Sequence, residues 1–180
     1  IRNMSAVYST LAKEVLPELR RARFIANVEF INYTSEELLD LIEENIDVLD
    51  EEALLRSATL VKDADDKLAI YRKAVDKFGS TRAQYNIGVT YILENQLGKA
   101  KNALSKIEGD GDVYNALGVI AMREGDYNAA AEYFAYADNA AGVENAAVID
   151  ILDGEYEAAA QKLAGKKDFN AALVQLLLGN

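Results

Sequence analysis

Paired carboxylates are the first residues whose types and spacing could perform chemistry. Adjacent acidic residues occur at 36–37, 43–44 and 51–52. Two carboxylates that meet on one substrate can act as general acid and general base. Neighbouring residues of a helix, however, point about 100° apart, so these pairs do not converge. We interpret Glu36, Glu37, Glu51 and Glu52 as helix starts, where negative charge meets the positive end of the helix dipole, and the remaining acids as solvated faces.

The stretch Glu108-Gly-Asp-Gly-Asp112 has some features of a calcium loop. It lacks the later alternate ligands and the bidentate Glu of an EF-hand loop. Gly109 and Gly111 also do not form a phosphate-binding loop, because no strand precedes them and no Gly-Lys-Ser/Thr follows. We interpret the stretch as a turn between two helical patterns, and we expect no metal and no cofactor.

Composition removes most enzyme classes. The chain has no Cys and no His, which excludes Ser-His and Cys-His triads, thiolate metal sites and His-dependent zinc sites. We therefore expect no catalytic residues. A hydrolase or lyase that uses carboxylates stays as an unfavoured alternative.

Charge and hydropathy limit the partners. The net charge is −11, from 19 basic and 30 acidic residues, which disfavours nucleic acid and anionic membrane surfaces. The cluster Arg20, Arg21 and Arg23 is too short to reverse that sign. No apolar run approaches the ~20 residues that span a bilayer, so we expect no direct membrane insertion.

The elements that position these residues form an internal repeat with a period of about 30 residues, which is typical of helical solenoids. Segments 85–100, 115–130 and 144–159 align. Each contains a small residue, a turn residue and an Ala, and a bulky side chain follows four residues after the Ala. In that order these are Gly88, Gly118 and Ala147; Asn95, Gly125 and Gly154; Ala100, Ala130 and Ala159; and Leu104, Phe134 and Leu163.

Each repeated position has a physical role. The small residue in the first helix allows a second helix to cross closely. The turn residue accepts a positive φ where the first helix ends. Two residues after it, Leu97, Tyr127 or Tyr156 is expected to fill the space between the helices.

The repeat resembles the tetratricopeptide repeat (TPR) family over residues 50–180. The best copy comprises Tyr114, Leu117, Gly118, Gly125, Tyr127, Ala130, Phe134 and Ala137. The resemblance implies an all-α fold, a right-handed superhelix of TPR-like helix pairs (an α-solenoid). All copies are shorter than usual, which predicts shortened second helices, and the third has Asp150 where an apolar residue is usual.

Two further segments complete the predicted repeats. An earlier copy has its first helix over 51–61 and its second over 65–78. A last first helix begins at Phe169 and reaches its turn at Gly179, and we expect the native protein to continue beyond it.

Residues 1–48 have a different pattern, so we divide the chain into an N-terminal segment, 1–48, and a repeat domain, 49–180, truncated at its C-terminal end. The pattern predicts a helix over 5–16 that Pro17 ends, a strand over 23–30, and a helix from Thr34 or Ser35 to about Asn45. A lone strand must pair, either with a partner chain or with a missing upstream domain.

The stretch Leu16–Phe24 that leads into the repeats is also similar to envelope proteins of some Gram-negative bacteria. In those proteins, helical repeats accompany an outer-membrane-protein-A-like peptidoglycan-binding domain. This resemblance implies a periplasmic or cell-envelope location, with a peptidoglycan-associated domain in the full-length chain. A cytoplasmic location is the alternative.

The TPR resemblance also implies a groove along the first helices that holds a peptide or a partner protein. Its candidate residues are Arg82, Tyr85, Asn86, Val89, Asn115, Val119, Arg123, Asn145 and Val148. The Asn side chains could bond a partner's backbone or, equally, neighbouring helices. The paired Lys positions of a carboxylate clamp are absent. We therefore expect a non-enzymatic interaction scaffold, with a structural spacer as the alternative.

Overall fold

A computed structural model describes Lys13 and residues 32–179 of the chain. Tyr33–Asn180 form one compact unit. All regular structure in residues 32–179 is helical. The helix predicted over 5–16 and the strand predicted over 23–30 lie outside the described residues.

Ten α-helices follow one another in residues 32–179. Their bounds are α1 Ser35–Asn45, α2 Glu51–Leu60, α3 Ala64–Phe78, α4 Thr81–Leu93, α5 Leu97–Leu104, α6 Gly111–Glu124, α7 Tyr127–Ala137, α8 Ala140–Asp153, α9 Tyr156–Lys162 and α10 Phe169–Leu177. A 3₁₀ turn, Ile46–Val48, joins α1 to α2. The first helices of the successive pairs are α2, α4, α6 and α8, with α10 following them, and the second helices are α3, α5, α7 and α9.

Side-chain caps set the helix starts. The Thr34 hydroxyl accepts a hydrogen bond from the Glu37 backbone N–H at 3.2 Å, and the Glu37 carboxylate accepts one from the Thr34 N–H at 2.7 Å. The bond from the Thr34 backbone, followed by that from its hydroxyl, lowers the pKa of the Glu37 carboxyl group. This reciprocal capping box confirms the predicted start of α1.

The adjacent acidic pairs lie in first turns of helices or on an exposed face. Glu36 and Glu37 lie in the first turn of α1, and Glu51 and Glu52 lie in the first turn of α2, whose cap is Asp50. The pair 43–44 is exposed near the other end of α1. The interpretation as helix starts and solvated faces is confirmed.

The Glu108–Asp112 stretch is a helix start. The Asp110 carboxylate caps α6, accepting hydrogen bonds from the backbone N–H groups of Asp112 at 2.8 Å and Val113 at 3.3 Å. Gly111 must lack a side chain, because a Cβ there would overlap the Ala137 carbonyl oxygen. The predicted turn is confirmed.

The turn between the two helices of each pair has the expected left-handed residue. Asn95 has φ 55°, Gly125 has φ 83° and Gly154 has φ 82°. This conformation ends the first helix and lets the chain reverse into the second.

The two helices of a pair cross at the small residues. A Cβ at Gly88 would lie 2.6 Å from the Leu104 side chain, and one at Gly118 would overlap the Phe134 ring. Ala130 in the second helix is completely buried, as the repeat pattern predicts. The bulky residue of the second helix therefore lies directly on the small residue of the first.

Successive pairs share their cores. Leu104 of α5 packs in one cluster with Ile120 of α6, and Phe134 of α7 packs in the next cluster with Ile149 of α8. At the start of the unit, Leu38 of α1 belongs to the same cluster as the apolar residues of α2 and α3. Each second helix thus buries residues against the following first helix, which is how a solenoid builds a continuous core.

Tyr127 and Asp150 depart from the repeat pattern. Tyr127 does not fill the space between its helices: its side chain is 46% exposed, because it stands at the very start of α7. Asp150 is tolerated where an apolar residue is usual because its carboxylate pairs with the Lys162 ammonium group, joining α8 to α9.

The second helices are short, as predicted. α5 has 8 residues and α9 has 7, whereas α3 has 15. Shorter second helices account for the short repeat period.

Replacing Gly118 with Ala tests the close crossing. The added methyl group meets the Phe134 ring, and we expect the free energy of unfolding to fall by about 1–3 kcal/mol. Urea denaturation followed by circular dichroism measures it. Gly98→Ala is the control, since a Cβ there meets nothing within 4 Å; it should leave stability unchanged or raise it by up to about 1 kcal/mol. Equal effects of the two substitutions would contradict the crossing described.

Candidate functional site

The nine candidate residues lie on three consecutive first helices. α4 carries Arg82, Tyr85, Asn86 and Val89; α6 carries Asn115, Val119 and Arg123; α8 carries Asn145 and Val148. Positions three or four apart share one face of a helix. We call these positions together the first-helix row.

Arg82 joins α4 to α2. Its guanidinium group pairs with the Glu52 carboxylate, and both side chains are mostly exposed. An exposed ion pair stabilises a fold little, by about 0–1 kcal/mol. The pair nevertheless engages the positive charge that a partner's carboxylate would need.

Arg123 joins α6 to α4. Its Nη1 donates a hydrogen bond of 2.5 Å to the Ile92 carbonyl oxygen, next to the last residue of α4. Carbonyl groups in the last turn have no partner within their own helix and lie at the negative end of its dipole. The guanidinium group therefore acts as a cationic cap on the preceding repeat.

Asn145 joins α8 to α6. Its amide Nδ2 donates a hydrogen bond of 2.8 Å to the Asn115 side-chain oxygen. The partners of the three ties are separated by 30 or 31 residues, which is one repeat. Four Arg and Asn members of the row thus link neighbouring repeats. Asn115 and Asn145 bond each other across neighbouring helices.

Tyr85 lines a cavity of about 270 Å³ with Asp110 and Asp112. Partial burial raises the pKa of its hydroxyl group, and the negative charges of Asp112 and Asp110 raise it further.

Asn86 and Val89 line another cavity of about 270 Å³, together with Leu93. Within the part of the chain that the structure describes, the Asn86 side chain makes no hydrogen bond. Val119 packs against the cores on both sides of it, and Val148 is half-buried. Each of the three valines is thus partly covered by the stack.

Two further residues on the same helix faces, which we add to the row, were not identified by the sequence analysis. Leu93 of α4 is 71% exposed and Leu152 of α8 is 56% exposed. Each stands five residues after the small residue of its repeat, in the same register as Arg123. That register was available in the sequence. Their exposure was not, because leucines in an apolar helix are ordinarily assigned to the core.

Within the described residues, no group of three or more acidic side chains is placed to hold a metal ion. In the same part of the chain, no helix is long and apolar enough to cross a membrane.

Comparison with solved structures bears on the fold. YrrB, described as a TPR protein with an unusual peptide-binding site, superposes with a TM-score of 0.53 and 22% identity, covering 82% of this chain and 86% of its own. The fold is TPR-like.

MamA has the same arrangement. One crystal structure of it gives a TM-score of 0.55 at 15% identity, covering 81% of this chain and 88% of its own. MamA 41-end from Desulfovibrio magneticus RS-1 gives 0.53 at 15% identity, covering 99% and 93%. No family model and no curated protein matches the sequence. The predicted TPR-like α-solenoid is confirmed, and at these identities the likeness concerns the fold alone.

Replacing Asn145 tests the inter-repeat ties of the TPR-like stack. Asn145→Ala leaves the Asn115 amide without its partner, and we expect a loss of about 1 kcal/mol in the free energy of unfolding. Asn86→Ala removes no described hydrogen bond and should change stability by less than about 0.5 kcal/mol. Urea denaturation of both variants measures the difference, and a loss of the same size in both would count against the tie.

Replacing Asp112 tests the electrostatics at Tyr85. Asp112→Asn removes one of the two charges that raise the pKa of Tyr85, while the contribution of burial remains. We therefore expect the pKa to fall part of the way towards its ordinary value. An NMR titration of the tyrosine Cζ carbon measures it; an unchanged Tyr85 pKa would show that the carboxylate does not act on the ring.

Because the folded-state pKa of Tyr85 is raised, ionising this tyrosine opposes folding. Its contribution to stability is complete below the unfolded-state pKa and is lost as the pH rises through the folded-state value.

Proposed function

We propose that the first-helix row binds an extended segment of another protein, so that the chain works as a non-enzymatic interaction scaffold. The observation that carries the proposal is the pair of exposed leucines, Leu93 and Leu152, on the same side as the Asn86 amide, which bonds no other side chain or backbone group within residues 32–179. The other Asn and Arg side chains of the row are engaged in inter-repeat ties, and these three are not.

The energetics fit a peptide ligand. Complete burial of a Leu side chain is worth about 1.5–3 kcal/mol, so two such anchors supply a substantial part of a micromolar affinity. The Asn86 amide can both donate to and accept from a partner's backbone without reading its side chains. Shape and apolar contact would then determine which segment binds.

The charges of the row limit the ligand. Arg82 and Arg123 are already engaged within the chain, so a clamp for a terminal carboxylate is not proposed. The net charge of −11 favours a neutral or basic partner protein and disfavours nucleic acid. The peptide-binding site for which YrrB is described is consistent with this proposal.

Carboxylate catalysis finds no support at the cavity beside Tyr85, where Asp110 and Asp112 meet. Asp110 accepts two backbone hydrogen bonds as the cap of α6. Asp112 accepts a bond of 2.9 Å from the Asn139 amide. Both side chains are engaged in holding helix starts together.

The wider context is also a proposal. The division at residues 48 and 49, the cell-envelope location with its cytoplasmic alternative, and an accompanying peptidoglycan-associated domain rest on sequence patterns alone. None of the compared structures bears on them.

The binding proposal is tested by removing the leucine anchors. A peptide is first selected from a random phage-displayed library against the wild-type protein, and its Kd is measured by fluorescence polarisation. Leu93→Ser/Leu152→Ser should weaken binding by at least about tenfold, because two apolar contacts are lost. The matched control is Leu39→Ser/Val48→Ser, which removes two exposed apolar side chains outside the row.

An equal loss in both double variants would contradict a site on the row. If the library yields no specific peptide, the spacer alternative is favoured, since the inter-repeat ties would then be the main role of the row's polar side chains.

A further inference from the structure

A third cavity lies on the opposite side of α4 from the first-helix row. It measures about 320 Å³ and lies between the second helices α3 and α5. Gln84, Ile87 and Tyr91 line it. At about 100° per residue, these positions lie across the helix from Asn86, Val89 and Leu93, so the two surfaces are separate.

Tyr91 holds two cations at this cavity. Arg72 Nη2 of α3 donates a hydrogen bond of 2.7 Å to the Tyr91 hydroxyl oxygen, and Lys99 Nζ of α5 lies 5.5 Å from the centroid of the Tyr91 ring. A phenol and its ring orient a cation without cancelling its charge. Both positive charges therefore remain available beside each other.

Lys106 is the third cation of this cavity. Among the described residues, neither Arg72 nor Lys99 nor Lys106 forms an ion pair, although the Asp76 carboxylate also lines the cavity. Some other cations of the stack are neutralised by contact, as Lys101 is by Glu124. In a chain of net charge −11, three cations line this one cavity.

Like charges around one cavity repel one another, and an anion placed among them relieves that repulsion. Arg is suited to planar, two-point contacts with oxyanions, and Lys supplies a strongly hydrated point charge. The Asn102 amide on α5, which also lines the cavity, adds an uncharged donor. This combination suits a tetrahedral, doubly charged oxyanion.

We propose that the cavity formed by α3, α4 and α5 binds a phosphate group, with Arg72, Lys99 and Lys106 as its cationic ligands and Tyr91 as the residue that positions the first two. This site is independent of peptide binding on the first-helix row. It would give the protein a second ligand on the second-helix side of the stack.

Isothermal titration calorimetry with inorganic phosphate tests the proposal, with ionic strength held constant by chloride. Lys106→Gln removes one charge, and Tyr91→Phe keeps the ring but releases Arg72. Each should weaken phosphate binding roughly tenfold, the equivalent of one charge-assisted hydrogen bond. Lys167→Gln is the matched control, because it removes an equal charge from the loop before α10, outside the cavity.

Titration with methyl phosphate distinguishes the source of the group. Tighter binding of the ester indicates a phosphorylated molecule, and tighter binding of inorganic phosphate indicates the free ion. Thermal melting shows whether Tyr91→Phe is folded, and the exposed Lys106→Gln variant keeps the test valid if it is not.

The absence of saturable binding overturns the proposal. So does the same affinity in the wild type, Lys106→Gln and Lys167→Gln, which would indicate an adventitious ion only.

Discussion

The close crossing of the two helices within each pair is the contact on which the remaining structure depends. Gly88 lies under Leu104 and Gly118 lies under Phe134, with no room for a further carbon atom. Because the backbone of the first helix approaches the second so closely, the bulky side chain is buried completely and the angle between the helices is set. The same bulky residues then pack against the next first helix, so the crossing within one pair also places its neighbour.

The stacking has a consequence for function, because polar side chains on the first helices serve two purposes. One set ties each repeat to the previous one: Arg123 caps a carbonyl of α4, and Asn145 bonds Asn115. Asn86 and the exposed leucines at 93 and 152 have no such task. Because some side chains of the row bond neighbouring repeats, the helices that carry the remaining side chains are held in fixed positions. This lowers the entropic cost of binding a flexible segment.

Charged side chains, like the polar ones, help to hold the fold together. Several carboxylates of this acidic chain cap helix starts, among them those of Asp50, Asp63 and Asp110. Most cations near the first helices are engaged by carboxylates or carbonyl oxygens. Arg72 and Lys99 both contact Tyr91, on the second-helix side. The first-helix row offers exposed leucines and an amide, whereas the cavity at Tyr91 offers three cations.

The local features of the fold could be predicted from the sequence because they depend on neighbouring residues. Small residues, turn residues and caps recur at a fixed period, and each has a local cause, such as the positive φ at Gly125 or the capping box at Thr34. The helices, their pairing and the TPR-like class follow from these. Tertiary structure alone decided which side chains of the first helices were free. Asn86 and Asn145 occupy the same place in the repeat, yet among the described residues only the Asn145 side chain makes a hydrogen bond, to Asn115 of the preceding repeat. Periodicity specifies the face on which a residue lies, whereas its hydrogen-bond partner and its exposure depend on what the neighbouring repeat brings to that face.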